Sequence, residues 1–216
     1  MAMNLRMPKL FGGGNAEPSL SAHTAQLVQQ LHGKHYEACL AGRVFSHVPT
    51  PLGLAVPIYT GTALAGGMPI WNPSNSNVNV ELISLAMGKA SGTSAFGTMV
   101  LMHRNNLGVD LATGSEITAF AETTPFNGFL GKGQASRVKS SNAGTCTVTA
   151  GVAEEAIRSF YGTGVAADAT TGGLDGFIHD FDGTVIVPPG TMVWAACTKA
   201  SVALYCTTFV WREDPI

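Results

Sequence analysis

From Val202 to Arg212 the chain alternates without a break. Val202, Leu204, Cys206, Thr208 and Val210 fall on one side, and Ala203, Tyr205, Thr207, Phe209 and Trp211 on the other. A repeat of two is the signature of a β-strand. Bulky residues on both sides predict a strand covered on both faces, one by the domain core and the other by a partner. Upstream, Gly183–Val187 predicts a strand, and Val187-Pro188-Pro189-Gly190 predicts a turn, because a central strand does not accommodate proline. Thr191–Thr198 is then a further strand, and Lys199-Ala200-Ser201 connects it tightly to the last one.

The same period runs back through the chain. Val78–Met87 alternates with one irregularity, as at a bulge, after a turn over Asn72–Asn77. Gly97–His103 predicts a second strand, and Gly88–Phe96 reads as the loop between them. Ile117–Glu122, Arg137–Lys139 and Thr145–Thr149 predict further strands, while Glu154–Tyr161 fits either a strand or a short helix. Charged residues are 12% of the chain, about half of the roughly 25% usual for soluble proteins. With 26 glycines in 216 residues, this composition disfavours a helical bundle. The expected fold is mainly β: an antiparallel, jelly-roll-like sandwich over residues 43–216. A surface so poor in charge is expected to be covered in part by other subunits.

The N-terminal part reads differently. Residues 1–19 are expected to form an extended arm, with Gly12-Gly13-Gly14 as a hinge and Pro8 and Pro18 opposing regular structure. Its apolar residues Leu5, Met7, Leu10 and Phe11 have little to bury against locally, so the segment is expected to be disordered in the free protein or to dock on a neighbour, with these four as its anchors. Residues 20–42 predict a helix and linker. Ser19 or Ser21 caps it, Leu20, Leu27, Val28, Leu31 and Tyr36 supply the apolar stripe, Gly33 weakens it and Gly42 ends it.

Several function classes are disfavoured. A net charge of −2 with Lys and Arg dispersed gives no field for nucleic acid. No stretch reads as a spanning helix of about 20 apolar residues, so no membrane is expected. The N-terminus has no apolar core of a secretory signal, which points to synthesis in the cytoplasm. Cys39, Cys146, Cys197 and Cys206 are expected to be free thiols, with Cys197 and Cys206 facing across a hairpin as the one alternative. His32 and His35 share a helix face but lack further ligands at metal spacing. The acidic run Asp175–Gly183 lacks the oxygen count and flanking helices of a calcium loop and reads as a turn. There is no GxSxG elbow or phosphate loop, and Glu116, Glu122, Glu154 and Glu155 form no marked pair. Trp71, Trp194 and Trp211 read as core rather than as a ligand platform. No enzyme activity, cofactor or metal is expected.

Three stretches carry a resemblance: His35–Phe45, Pro69–Val100 and Leu174–Ile216. Their motifs are the Asn72-Pro73 turn with Ser76 and Asn79, the Ser91-Gly92-Thr93 loop, Asp182-Gly183 followed by Val187-Pro188-Pro189-Gly190, and the ending Trp211, Glu213, Pro215. In these the chain resembles a group of tailed-bacteriophage structural proteins. The match covers about half the chain and leaves Asn105–Gly173 unplaced. The resemblance implies a β-sandwich virion component, foremost a decoration (cement) protein. Such a protein would be a homotrimer on the capsid surface, bound to the major capsid protein. The alternative is another virion component: a head–tail adaptor, a tail protein or a receptor-binding spike. No catalytic residue is carried over.

Overall fold

Alternating sequence becomes two antiparallel sheets in the computed structural model, which describes residues 7–8, 15–16, 33–48, 53–56, 69–92, 97–105, 117–130, 133–148, 155–163, 176–198 and 203–216. The chain divides into two compact units, Met1–Glu37 and Ala38–Ile216. In the first, β1 (Met7–Pro8) pairs antiparallel with β2 (Asn15–Ala16), with Met7 opposite Ala16. The one described helix is α1 (Tyr36–Leu40).

The second unit carries the strands. They are β3 (Val44–His47), β4 (Leu54–Ala55), β5 (Ile70–Asn72), β6 (Val78–Ser91), β7 (Gly97–Arg104) and β8 (Ile117–Thr123). Then follow β9 (Phe126–Asn127), β10 (Lys139–Val148), β11 (Glu155–Thr163) and β12 (Gly176–Asp180). Last come β13 (Ile186–Val187), β14 (Thr191–Cys197) and β15 (Leu204–Pro215). A six-stranded sheet runs β11-β7-β14-β5-β10-β8. A seven-stranded sheet runs β12-β6-β15-β3-β9, with β13 also paired to β6 and β4 to β15. The expected antiparallel sandwich is present.

The core lies between the sheets. From the seven-stranded sheet, Phe45, Val80, Leu82, Leu85, Phe209 and Trp211 enter it, and from the six-stranded sheet Ile70, Leu101, Val193 and Ala195. A second apolar cluster occupies the other side of the six-stranded sheet, built on Trp71, Met102, Met192 and Trp194. Successive residues of β14 alternate between the two clusters. The strand buried on both faces is therefore β14, in which every residue is buried. β15 buries Tyr205, Thr207, Phe209 and Trp211 but leaves Leu204, Cys206, Thr208 and Val210 half-buried. Within the chain, β14 is thus covered on both faces, whereas β15 turns one face to the core and the other, where a partner is expected, is half-buried. All three tryptophans are core residues with no exposed surface.

Other expectations change in detail. The predicted helix does not run unbroken to residue 41. Gly33, Lys34 and His35 form a turn, closed by the Tyr36 amide on the Gly33 carbonyl at 2.9 Å, and residues 20–32 lie outside the described residues. A glycine at the helix's weak point makes the break cheap. The expected loop at Gly88–Phe96 starts later, because β6 continues to Ser91 against β15. The expected bulge in β6 is present as a register shift, with Ser84 opposite Val210 and Leu82 opposite Trp211. The predicted strand at 137–139 begins only at Lys139, where β10 starts, and β10 runs on without a break through 145–148; Glu155–Thr163 is strand rather than helix. The expected strand at 183–187 shrinks to Ile186–Val187, since Asp182 (φ 50°) and Gly183 (φ 75°) form a turn. Part of the acidic run, Gly176–Asp180, is strand β12 rather than turn. Cys197 and Cys206 are free thiols in different sheets, as is Cys39 on α1, so the hairpin pairing is not made.

Candidate functional site

Three of the motifs that carry the resemblance, the Asn-Pro turn, the Pro-Pro-Gly turn and the C-terminal ending, meet at one end of the sandwich. Asn72 ends β5, and its buried side-chain amide donates to the Val78 carbonyl (2.9 Å) and the Val187 carbonyl (3.0 Å). The Gly190 amide returns a bond to the Asn72 carbonyl at 2.7 Å. The Asn-Pro turn and the Pro-Pro-Gly turn, more than a hundred residues apart, are thus locked to each other. The final motif joins them: Pro215 pairs with Val78, and the Ile216 amide donates to the Asn77 carbonyl at 3.2 Å. Glu213 is buried and collects three donors: Ser136 Oγ (2.5 Å), the Arg137 amide (3.1 Å) and Trp211 Nε1 (3.3 Å). Trp211 in turn stacks on Phe45, with centroids 6.1 Å apart.

A cleft of about 170 Å³ opens at this end, with Arg43, Arg137, Gln134 and Glu213 among its polar lining and Phe45 and Val78 among its apolar lining. Beside it runs a chain of ion pairs. Glu81 holds Arg212 at 2.6 Å, Arg212 holds Asp214 at 2.7 Å, and Asp214 holds Arg43 at 2.5 Å. Each carboxylate in the group is already occupied by donors. The arrangement therefore fixes chain segments and offers no free general base. Among the described residues no group of three or more His, Cys, Asp or Glu is placed to hold a metal ion, and no described helix is long and apolar enough to cross a membrane.

A second feature is the outer face of the seven-stranded sheet. Its cross-strand rows read Gly176, Gly88, Cys206; then Ile178, Ala86, Thr208; then Asp180, Ser84, Val210, Ser46, Phe126. Across these rows the one charged residue is Asp180, on the margin. Ile178 is 79% exposed and Phe126 is 63% exposed. The next row, Ile186, Glu81, Arg212, Val44, carries charges already paired with each other. An antiparallel sheet facing water ordinarily alternates to polar residues on that face; in these three rows the polar residues are small hydroxyls, Thr208, Ser84 and Ser46, with the single charge of Asp180.

The third feature lies on the two long margins, where the sheets meet through side chains. On one, Arg158 of β11 reaches across to β12 and the turn after it, donating from Nη1 to His179 Nε2 (3.2 Å) and from Nη2 to Thr184 Oγ1 (3.1 Å). Its guanidinium also lies 5.6 Å from the Phe181 ring centroid, a cation–π distance. Phe160 sits among Phe177, His179 and Phe181, at centroid distances of 5.7, 4.9 and 5.9 Å. On the other margin His47 Nε2 of β3 lies 3.2 Å from Thr123 Oγ1 of β8. Both histidines are held below the ordinary 6.5. Burial does this at His47, against a weaker pull from the Ser141 backbone. At His179 desolvation leads, helped by the charge of Arg158 and opposed by Asp180.

Leu5, Leu10 and Phe11 lie outside the described residues, and Met7 lies in β1. His23, His32, Glu116, Glu154 and the Lys199–Ser201 connection also lie outside them. Sequence reading missed Arg43, Ser136 and Arg137 as partners of the C-terminal strand. It also missed Arg158 and His179, whose meeting depends on which strands end up on the margins of different sheets. The signal it had for Glu213 was a place in the last motif. No family model matches the chain, and comparison with the curated proteins and with solved structures gives no match.

Proposed function

We propose that the chain is a structural component of a tailed-phage virion: a decoration (cement) protein that binds and stabilises a shell of major capsid proteins. The observation that supports this most is the part of the outer face of the seven-stranded sheet from Gly88 to Ser84, whose one charged residue is Asp180, with Ile178 and Phe126 protruding from it. Burying such a face removes apolar surface from water at roughly 25 cal/mol per Å² and desolvates few charges. The stretches that resemble phage structural proteins include β6, β12 and β15, the strands that build most of this face. The proposed mechanism is mechanical. Contacts that exist only in the assembled shell stabilise it by linkage, as any ligand of the native state does. The homotrimeric state and the arm anchors Leu5, Met7, Leu10 and Phe11 belong to the same proposal.

The test is occupancy on purified shells. Ile178→Asp sits at a solvent-facing position and should leave the domain folded. It should lower shell affinity by about tenfold or more, the equivalent of about 1.4 kcal/mol. Unchanged occupancy, or a handful of copies per virion in place of hundreds, would reject the decoration role.

A further inference from the structure

Both margins of the sandwich are spanned by a histidine of the seven-stranded sheet reaching an edge strand of the six-stranded sheet. His179 reaches Arg158 of β11, and His47 reaches Thr123 of β8. The protonation states follow from the partners. A guanidinium has only donors, so His179 Nε2 is an acceptor; its ring is neutral with the proton on Nδ1. At the other margin, the Thr123 hydroxyl donates to the Ser140 carbonyl at 3.2 Å, and the Ser140 hydroxyl donates to the Thr123 carbonyl at 3.0 Å. Thr123 Oγ1 shares this network with His47 Nε2 at 3.2 Å, a contact that a neutral ring makes in either tautomer. His47 Nδ1 is buried and without a hydrogen-bond partner.

We propose that His179 and His47 are two acid-released latches, and that protonating them loosens both margins of the sandwich while the central core keeps the sheets stacked. A protonated His179 cannot accept from Arg158 and places one cation beside another. A protonated His47 puts a charge into the buried core margin, and the Ser141 backbone offsets only part of that cost.

The surrounding groups do not cancel this. Facing His179 are Arg158 on β11, the uncharged rings of Phe160 and Phe181, and Leu85 of β6 opposite it in the ladder. Asp180, its neighbour in the strand, favours the charged ring but is outweighed. Facing His47 are Thr123 and Ser141, with Phe209 opposite it on β15. The charged residues of its neighbouring strands are engaged elsewhere: Lys139 with Glu122 at 3.2 Å, and Arg212 with Glu81 and Asp214. Because both rings are depressed in the folded state, the stability they contribute is complete above about pH 6.5. It is lost as pH falls through their folded values.

Hydrogen exchange on the full chain at pH 7.5, 6.5 and 5.5, corrected for intrinsic rates, reads the margins directly. Protection in β11, β12, β3 and β8 should fall severalfold below pH 6.5, while β14 and the middle of β15 hold theirs. His179→Gln keeps an acceptor for Arg158 that does not titrate. It should abolish the response in β11 and β12 and leave that of β3 and β8. His47→Gln should do the reverse; if that buried variant fails to fold, the His179→Gln arm alone decides. Flat protection in the wild type overturns the proposal, as does an undiminished response of β11 and β12 in His179→Gln.

Discussion

Asn72 does more than begin a turn. Its amide is the shared donor for two carbonyls, Val78 and Val187, that belong to the seven-stranded sheet, while Asn72 itself belongs to the six-stranded one. Asn72→Ala removes the side-chain donor from both buried carbonyls and leaves Val78 the long 3.5 Å contact from Ser76 Oγ. At about 1–3 kcal/mol for a buried carbonyl that loses its donor, the expected loss is at least about 1–3 kcal/mol. Asn72→Asp should be worse still, because a carboxylate oxygen would face the two carbonyls. Denaturant unfolding checks both; an Ala variant within about 0.5 kcal/mol of wild type would show that the bridge is not structural. At this scale the sequence was legible where residue type decides the outcome, as for the buried tryptophans. It was not legible where two strands had to meet first. Nothing local to Arg158 or His179 says that their strands will be margins of opposite sheets.

At the scale of elements, period two identified the strands but not their neighbours. β14 and β15 are consecutive in sequence yet lie in different sheets, so similar alternation leads to burial on both faces in one and on a single face in the other. Turns were more legible, because backbone sterics act locally. Between β12 and β13, Asp182 and Gly183 both have positive φ, and the Thr184 amide closes on the Phe181 carbonyl at 2.9 Å. That is a type I′ geometry, for which Asp-Gly is a preferred pair. The turn also sets the approach of β13, since a Cβ at position 183 would come within 2.9 Å of Glu81 Oε1. Gly183→Ala should therefore destabilise by about 1–2 kcal/mol through the left-handed backbone alone. It should also disturb the Glu81–Arg212 pair. A melting temperature equal to wild type would mean that the turn reshapes without strain.

For the whole molecule, the question is what meets the outer face of the seven-stranded sheet. The six-stranded sheet already has apolar clusters on both sides, whereas the seven-stranded sheet has the core on one side and exposed Ile178 and Phe126 on the other. Two uses of that face follow from the proposed role: contact between copies, and contact with the shell. Light scattering on the purified chain should give a mass near three times 22.4 kDa if the trimer forms before the shell is met. Thr208→Arg separates the two uses. Thr208 is half-buried in the row between Ala86 and the strand's far neighbours, so a guanidinium there remains solvated in a free face but is desolvated in a covered one. If the face joins copies, the variant should run as a monomer with unchanged far-ultraviolet circular dichroism. If the trimer persists, its contacts lie elsewhere and the face is free for the shell, in which case the same variant should lose shell binding. A trimer that persists with full shell occupancy would remove the face from both roles, and with it the main support for a decoration protein.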